Sequence, residues 1–325
     1  MTVKKLEKGG DIMKKALVIG SLNIDMTTKV ENLPRLGETI FGNNFYESCG
    51  GKGANQAVAI SKLGMETEMI GMIGNDSHGK KLIENLKKYN VKHDNIIRSP
   101  EPTGHALILV DKNGNNSIIV IPGANFKITE RHIDEKTDII NENDIIILQN
   151  EIPLNVVEHA LKKAKELNKI TVFNPAPAAQ LSDEVYKNTD YLILNETEME
   201  EIFGISIEDE KYIERLHNRK KAKNIRNIIL TLGETGSVLL DDEGNIRRYE
   251  AYKVKAVDTT AAGDSFIGAF ILKLCETGNR DAAMKFASAV SAIVVTRQGA
   301  QDSIPNALEI AEFIEKMGNH YNIFK

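Results

Sequence analysis

The sequence predicts an α/β fold: a doubly wound, mostly parallel sheet flanked by helices, with a small β-sheet lid. Short apolar runs rich in Ile, Val and Leu recur along the chain, which is typical of strands buried on both faces of a parallel sheet. Amphipathic helical patterns lie between many of these runs. The strand-like runs are residues 16–19, 68–73, 145–148, 170–173, 191–194, 227–231 and 237–240.

The helical patterns have apolar residues at helical spacing and end at recognisable stop signals. In residues 55–63, Ala and Leu recur at this spacing and the pattern stops at a glycine. Residues 79–89 and 156–167 are also amphipathic, and residues 265–275 and 280–295 predict two further helices. Strands and helices that alternate through short connections favour a doubly wound sheet.

Two segments, residues 39–48 and 105–121, break this order with polar–apolar alternation and turn residues. The second contains Asp111-Lys-Asn-Gly between two apolar runs, which is a hairpin signal. We therefore expect a small antiparallel lid that is inserted in the main domain at about residues 23–48 and 103–121.

The remaining boundary lies near the amino end of the chain. The first strand pattern starts just after Met13, so residues 1–12 are interpreted as an N-terminal extension. Residues 13–325 are then expected to form one α/β domain that carries the lid, a size compatible with a large core.

Charge and composition argue against several classes of protein. The chain is 42% hydrophobic and 27% charged, with a formal net charge of −5 and no long basic run, so nucleic acid is not an expected partner. No stretch approaches the ~20 apolar residues of a membrane helix, so no membrane partner is expected. Cys49 and Cys275 lack CxxC spacing, which argues against disulfides or zinc and favours a cytoplasmic location.

The run Asp258-Thr-Thr-Ala-Ala-Gly-Asp264 carries the strongest chemical signal. It leads from a strand-like stretch, residues 252–257, into a helix that begins near Gly263. Small residues expose the N–H groups of the first helical turn, which suits a phosphate or a developing negative charge. Asp264 could accept a proton from an attacking hydroxyl, as phosphoryl transfer requires. The alternative is an N-cap, which would not explain the Ala-Ala-Gly that precedes it.

Two further segments carry polar groups that suit sugar hydroxyls. Gly50-Gly-Lys-Gly-Ala-Asn55 opens a helix, where glycines admit a ligand to the backbone and Asn55 offers both a donor and an acceptor. Asn23 and Asp25 follow the first strand, at the sheet edge where open α/β folds bind ligands. Glycine-rich and Asn-x-Asp segments also occur as ordinary turns.

Two segments near strand ends suit a nucleotide and its metal. Asn195-Glu-Thr-Glu198 follows a strand-like run, and oxygen ligands of this kind support a hydrated Mg²⁺ bound to phosphates. Thr231-Leu-Gly-Glu-Thr-Gly236 lies between two strand-like runs and could hold a nucleotide through its backbone. The alternatives are an acidic helix start and a plain turn.

Taken together and in this order, the segments resemble the ribokinase (PfkB-like) family of carbohydrate and nucleoside kinases, over about residues 15–315. The signatures GGKGANQA and DTTAAGDSF are specific in combination, and Asn174-Pro-Ala-Pro and Thr296-Arg-Gln-Gly-Ala-Gln add to the likeness. The resemblance implies ATP-dependent phosphorylation of D-ribose at the 5-hydroxyl. A sister kinase for 2-deoxyribose, fructose or a nucleoside is the alternative.

The resemblance also implies residue roles. Asp264 would be the general base, and Gly263 would help to form an anion hole. Ribose would contact Asn23, Asp25, Gly51, Lys52, Gly53, Asn55, Glu151 and Asp264. ATP would contact Asn195, Thr231, Gly233, Gly236, Gly263 and Ser288, and Glu198 would act on Mg²⁺ indirectly.

Two further properties follow from the resemblance: activation by a monovalent cation, usually K⁺, and a homodimer whose lids clasp. The K⁺ ligands would be Asp258, Thr260, Val294, Arg297, Gly299 and Ser303, largely through backbone oxygens. The chain departs from the family at two positions. Ser288 stands where related enzymes often carry Asn or His beside the adenine, and Asp302 replaces a frequent Pro and adds a charge near the proposed cation.

Other functions differ from this interpretation in recognisable features. A silent sugar- or nucleotide-binding regulator should lack the Asp264 carboxylate or Gly263, and both are present. A nucleotide-dependent oxidoreductase would need a G-x-G-x-x-G that the first βα turn lacks. Among sugars, Asn23 favours one with a 2-hydroxyl, because a buried amide left unpaired costs ~1–3 kcal/mol.

Overall fold

The computed structural model describes residues 14–317, in which the strands assemble into a nine-stranded and a four-stranded sheet. In chain order the strands are β1 (Lys15–Ile19), β2 (Asn23–Val30), β3 (Gly42–Gly50), β4 (Glu66–Gly74), β5 (Ile96–Ser99), β6 (Gly104–Val110), β7 (Asn116–Ile121), β8 (Ile145–Gln149), β9 (Ile170–Asn174), β10 (Tyr191–Asn195), β11 (Asn227–Thr231), β12 (Ser237–Leu240) and β13 (Ile246–Tyr249).

The α-helices lie between these strands and at the carboxyl end of the chain. They are α1 (Lys52–Lys62), α2 (Ser77–Lys88), α3 (Glu130–Asp134), α4 (Thr137–Glu142), α5 (Leu154–Glu166), α6 (Asp183–Lys187), α7 (Glu196–Phe203), α8 (Tyr212–Ala222), α9 (Ala262–Thr277), α10 (Arg280–Val294) and α11 (Ala307–Lys316).

The large sheet has the order β13-β12-β11-β10-β9-β8-β1-β4-β5. Its pairs are parallel from β5 to β11, and only β12 and β13 run antiparallel to their neighbours. This result confirms the predicted mostly parallel sheet. It also places the carboxyl ends of the parallel strands, where ligands bind in open α/β folds, along one edge.

Helices cover both faces of this sheet, as the continuous apolar strands predict. Along β1, Ala16 and Val18 pack in one core with residues of α1, α9 and α10, while Leu17 and Ile19 pack in a second core with residues of α5. Because successive side chains of a strand point to opposite faces, both halves of each apolar run are buried. The doubly wound fold is therefore confirmed.

The second sheet, with the order β3-β2-β6-β7, forms the lid. β2 pairs antiparallel with β3 but parallel with β6, so the lid is mostly but not wholly antiparallel. The predicted hairpin is present: Asp111 N donates to Asn115 O at 2.9 Å, and Gly114 has φ +85°. The small β-sheet lid of the predicted fold is thus confirmed.

One predicted strand is wrong. Residues 252–257 form no strand, because their polar groups and side chains find partners on helices instead. Val257 N donates to Val295 O at 2.7 Å, just beyond α10, and the Tyr252 ring packs edge-on against Phe313 of α11. The predicted extension, residues 1–12, lies outside the described residues.

Candidate active site

A cleft of about 780 Å³ lies between the lid and the carboxyl ends of the parallel strands. Predicted site residues from widely separated segments meet in this cleft. Those that line it are Asn23, Asp25, Gly51, Lys52, Asn55, Glu151, Asn195, Glu198, Thr231, Asp258, Thr260, Gly263, Asp264 and Gly299. The cleft floor is therefore polar, while Ile108, Ile118 and Val120 of the lid supply apolar groups from above.

Asp264 is the third residue of α9 and is not its N-cap. The N-cap is Ala261, with φ +60° and no side-chain capping bond, so the simple capping alternative does not apply. Asp264 is 8% exposed; its Oδ1 accepts from Gln56 Nε2 at 2.9 Å and its Oδ2 from Asn55 Nδ2 at 3.1 Å. The carboxylate is thus held beside the first-turn N–H groups of α9, including that of Gly263.

Asn23 and Asp25 lie at the start of β2, where the main sheet passes into the lid. Asn23 Oδ1 accepts from Asn125 Nδ2 at 2.8 Å, so its amide nitrogen remains available to a ligand. Burial raises the pKa of Asp25 to about 7, with further repulsion from Glu151 and Asp264. A neutral polyol that donates hydroxyl groups would suit this crowded carboxylate better than an anion.

Lys52 is the central cation of the site. Burial opposes its charged form, but the carboxylates of Asp264, Glu151 and Glu198 outweigh burial and raise the pKa of Lys52. Glu151 Oε2 accepts from Lys52 N at 3.0 Å and from Ser21 Oγ at 2.5 Å, which fixes this carboxylate next to α1. The Lys52 ammonium is therefore available to balance anionic groups that enter the cleft.

Asn195 and Glu198 also line the cleft and form a reciprocal cap on α7. Glu198 N donates to Asn195 Oδ1 at 2.8 Å, and Asn195 N donates to Glu198 Oε2 at 2.9 Å. The predicted alternative of an acidic helix start is therefore present, although both residues also line the cleft. Burial raises the pKa of Glu198.

Several predicted site residues do not line the cleft: Gly53, Gly233, Gly236, Ser288, Val294, Arg297 and Ser303. Glycine is needed at two of them, since a Cβ at Gly53 would lie 2.5 Å from Ser21 N and one at Gly236 2.0 Å from Tyr249 O. Ser288 Oγ donates within its own helix to Met284 O at 3.1 Å. Their roles in binding ATP, ribose or a cation stay predictions.

Asp258 joins the two loops that carry the predicted cation ligands. Its Oδ1 accepts from Thr260 N at 2.9 Å, and its Oδ2 accepts from Gly299 N at 3.0 Å. Burial alone would raise the pKa of Asp258, but hydrogen bonds from Thr260 and Gly299 outweigh burial and lower it. The Asp302 carboxylate, in contrast, pairs with Lys88 at 3.1 Å on the protein surface.

Sequence analysis missed four amide side chains that organise the site: Gln56, Asn125, Gln149 and Gln301. All four are at most 4% exposed. The available signal was an amide inside an apolar helix, as with Gln56 in the sequence Asn-Gln-Ala-Val-Ala-Ile. A buried amide needs partners, and partners at such positions lie in other segments.

Comparison with known proteins agrees with this geometry. The family described as pfkB family carbohydrate kinase matches residues 13–307. A ribokinase from Haemophilus influenzae is 40% identical over 306 residues, covering 93% of this chain and 99% of its own length. A deoxyribokinase from Salmonella typhi is 35% identical over 299 residues, covering 91% and 97%. The solved structure of Arabidopsis thaliana ribokinase complexed with ribose and ATP matches with a TM-score of 0.86 at 29% identity, covering 94% and 99%.

The doubly wound sheet, the lid and a carboxylate at a helix N-terminus together define a lidded α/β phosphotransferase. With the match over residues 13–307, the chain belongs to the pfkB family of carbohydrate kinases. The family resemblance predicted from the signature segments is confirmed.

Proposed function

We propose that this protein transfers the γ-phosphoryl group of ATP to the 5-hydroxyl of D-ribose. The observation that carries the proposal is the buried Asp264 carboxylate, which lies at the mouth of α9 and in one cleft with Asn23, Asp25 and Glu151. A base, an anion-binding helix end and hydroxyl-binding groups are the parts that sugar phosphorylation needs.

In this mechanism the 5-hydroxyl of ribose points at Asp264. The hydroxyl oxygen bonds to the γ-phosphorus, its proton passes to Asp264, and the bond between the γ-phosphorus and ADP breaks. The N–H groups at the start of α9, with Lys52, face the negative charge that develops on the transferred group. The lid covers the sugar and keeps water from competing as the acceptor.

Mg²⁺ enters the proposal with ATP, and the chain offers it few direct ligands. Within residues 14–317 no group of three or more acidic, His or Cys side chains is arranged to hold a metal. Both oxygens of Glu198 are occupied by Asn195 at 2.9 and 3.2 Å, which fits contact through water rather than direct ligation. Mg²⁺ would neutralise phosphate charge when bound.

A K⁺ site at Asp258, Thr260, Val294, Arg297, Gly299 and Ser303 is also part of the proposal. The donor set consists of oxygens, which suits an alkali cation, and Asp258 already bridges the two loops through Gly299. The Asp302 carboxylate pairs with Lys88 and Tyr89.

Ribose is preferred to 2-deoxyribose because of Asn23. Its oxygen is occupied by Asn125, so its amide nitrogen points a donor at the ligand. The deoxyribokinase relative keeps 2-deoxyribose as the main alternative substrate.

We further propose a homodimer through the lids and a cytoplasmic location. On the face of the lid away from the cleft, Ile119 is 61% and Phe45 64% exposed, which is apolar surface that a second lid could cover. Cys49 and Cys275 are free thiols, as in a reducing compartment. None of the helices in residues 14–317 combines the length and apolar character needed to cross a bilayer.

The test is ADP release measured with ribose, 2-deoxyribose, fructose and adenosine, each with and without K⁺ at constant ionic strength. We expect the highest kcat/KM with ribose and stimulation by K⁺. Turnover restricted to adenosine, or to another of the alternative acceptors, would overturn the ribose assignment.

A further inference from the structure

Gln301 lies in the loop after α10, is 4% exposed and is not among the residues that line the cleft. Its Nε2 donates to Asn55 Oδ1 at 3.0 Å, and Asn55 Nδ2 donates to Asp264 Oδ2 at 3.1 Å. On the outer side, Asn85 of α2 donates from its Nδ2 to Gln301 Oε1. A single chain of amides therefore connects the protein surface at α2 with the catalytic carboxylate.

We propose that Gln301 is a positioning residue for Asp264, and that the amide chain from Asn85 fixes the orientation of the base. The inference rests on the proposed function, because it assigns Asp264 the role of base. Gln301 itself does not touch the substrate in this proposal and acts only through Asn55.

The direction of the hydrogen bonds carries the argument. A side-chain amide has one acceptor end and one donor end. Gln301 occupies the acceptor end of Asn55, so the donor end of Asn55 must face Asp264. If Gln301 could not donate, Asn55 could turn its amide over, and its oxygen would then face the carboxylate and repel it. The correct orientation of Asn55 is thus set by a residue outside the cleft.

The other carboxylate oxygen is held in the same manner from inside the main sheet. Gln149, at the end of β8, donates to Gln56 Oε1 at 2.6 Å, and Gln56 Nε2 donates to Asp264 Oδ1 at 2.9 Å. Each oxygen of Asp264 therefore receives a donor that a second amide has oriented. Rotation of the carboxylate is restricted from both sides, which keeps the remaining lone pairs directed at the cleft.

The two arms differ in how they are anchored. The Gln149 arm lies wholly in the buried centre, where Gln56 and Gln149 are both fully buried. The Gln301 arm runs through a loop that side chains of neighbouring helices hold, with Lys62 Nζ donating to Gln301 O at 3.2 Å. Of the two arms, the Gln301 arm is therefore the one that links Asp264 to side chains of the surface helix α2.

The test compares Gln301→Glu, Gln301→Met and Asn85→Asp with the wild type. A glutamate at position 301 accepts but cannot donate to Asn55, and a methionine of similar volume removes the amide without adding a charge. We expect kcat to fall about 10- to 100-fold in both Gln301 variants, as for a slightly misplaced catalytic group, with the KM for ATP nearly unchanged. Asn85→Asp should cause a smaller fall in kcat, and adding it to Gln301→Met, which has already lost the amide, should cause little further loss.

The matched control is Asp302→Asn. Asp302 is the next residue in the loop and also contacts the end of α2, through Lys88 and the C-cap residue Tyr89, but it has no bond to Asn55. If the loss of activity came only from a looser loop, kcat would fall by similar factors in Asp302→Asn and Gln301→Met. We expect Asp302→Asn to keep the wild-type kcat; an equal fall in both variants would contradict positioning by Gln301.

A second measurement does not depend on activity. In ¹⁵N-labelled protein, the side-chain NH₂ signal of Asn55, assigned by its loss in Asn55→Ser, should shift in Asp264→Asn, Gln301→Glu, Gln301→Met and Asn85→Asp, but not in Asp302→Asn. An unchanged Asn55 signal in folded Gln301→Met would overturn the inference. If the wild type phosphorylates no sugar, the proposed function fails, while this signal still decides whether the amide chain exists.

Discussion

Asn55 Nδ2 donates a hydrogen bond to Asp264 Oδ2 at 3.1 Å, although 209 residues separate the two along the chain. The bond joins the first turn of α1 to the first turn of α9, two helix starts that meet beneath the lid. The proposed sugar-binding segment and the proposed base are therefore fixed relative to each other by a direct contact. The following predictions test this arrangement and the groups around it.

Replacing Asp264 should remove catalysis but not sugar binding. In Asp264→Asn we expect kcat to fall by about 10²- to 10⁴-fold, the usual contribution of a general base. The dissociation constant for ribose, measured by calorimetry, should change by only a few-fold because the side-chain volume is kept and the asparagine oxygen still accepts from one of the two amides, Asn55 or Gln56. Asp183→Asn, an exposed surface change, is the control. Near-normal turnover in Asp264→Asn would remove this residue from the role of base.

Asn23 should discriminate between ribose and 2-deoxyribose. Asn23→Ser shortens the donor, so ribose should lose about 1–3 kcal/mol of transition-state stabilisation, or roughly 5- to 150-fold in kcat/KM. With 2-deoxyribose the loss should be smaller, because that sugar offers no 2-hydroxyl to the amide. Steady-state kinetics with both sugars gives the ratio, and equal losses would show that Asn23 does not read the 2-hydroxyl.

Asp25 should make the protein less stable as the pH rises. Its pKa is about 7 in the folded protein and 3.8 ordinarily, so the folded state binds a proton that the unfolded state has released. The contribution of Asp25 to the free energy of unfolding therefore declines from about pH 4 to about pH 7. Asp25→Asn should remove this decline and raise the Tm at pH 8 by about 2 °C or more.

The measurement for Asp25 is thermal unfolding of the wild type and Asp25→Asn at several values from pH 5 to pH 8.5. The Tm difference between the two proteins should grow with pH across this range and level off above about pH 7. A difference that stays constant would mean that Asp25 is ionised throughout.

Removing the Asp258 carboxylate should abolish the response to K⁺. The wild type should gain turnover several-fold when KCl replaces choline chloride at fixed ionic strength, whereas Asp258→Ala loses a cation ligand and the bond to Gly299. A KCl titration of initial rates checks this. Asp242→Ala, a change on another surface, should respond like the wild type. If Asp258→Ala kept the wild-type K⁺ response, the proposed cation site would be wrong.

The outer face of the lid should determine the oligomeric state. Ile119→Lys places a charge on the 61% exposed position of β7 that faces away from the cleft, so two lids could no longer pack together. Light scattering with size-exclusion chromatography should give a dimeric mass for the wild type and a monomeric mass for the variant. Ile207→Lys changes another exposed isoleucine outside the lid and should leave the mass unchanged. A monomeric mass for the wild type would contradict the proposed homodimer.

The sequence predicted the main sheet well because local burial determines it. The β8 residues Ile145–Gln149 are buried on both faces, and a short continuous apolar run of this kind is typical of a central strand in a parallel sheet. The stretch 252–257 has a similar local pattern, but its partners lie just beyond α10 and on α11, more than 30 residues away. The local sequence of residues 252–257 does not indicate that their partners are helices, so the predicted strand was wrong.

The candidate site was predictable where a short segment contains both the polar groups and the small residues that a binding site needs. The Gly50–Asn55 and Asp258–Asp264 segments combine glycine or alanine with polar groups at a helix start, a pattern visible within seven residues. The amides that orient Asp264 were not predictable in this way. Gln56 has partners on β8, β9 and α9, and Gln301 has partners on α1 and α2, so their roles appear only after the chain has folded.

The position of β2 directly after β1 links the floor of the cleft to the lid. β2 begins only four residues after β1 of the main sheet, and its first residues, Asn23 and Asp25, belong both to the lid and to the cleft floor. The proposed sugar-binding residues and the start of the lid are therefore the same piece of backbone. In the proposed function, a sugar bound to Asn23 and Asp25 would act directly on the strand that supports the lid. Sugar binding and covering of the cleft would then be coupled without any further element of the chain.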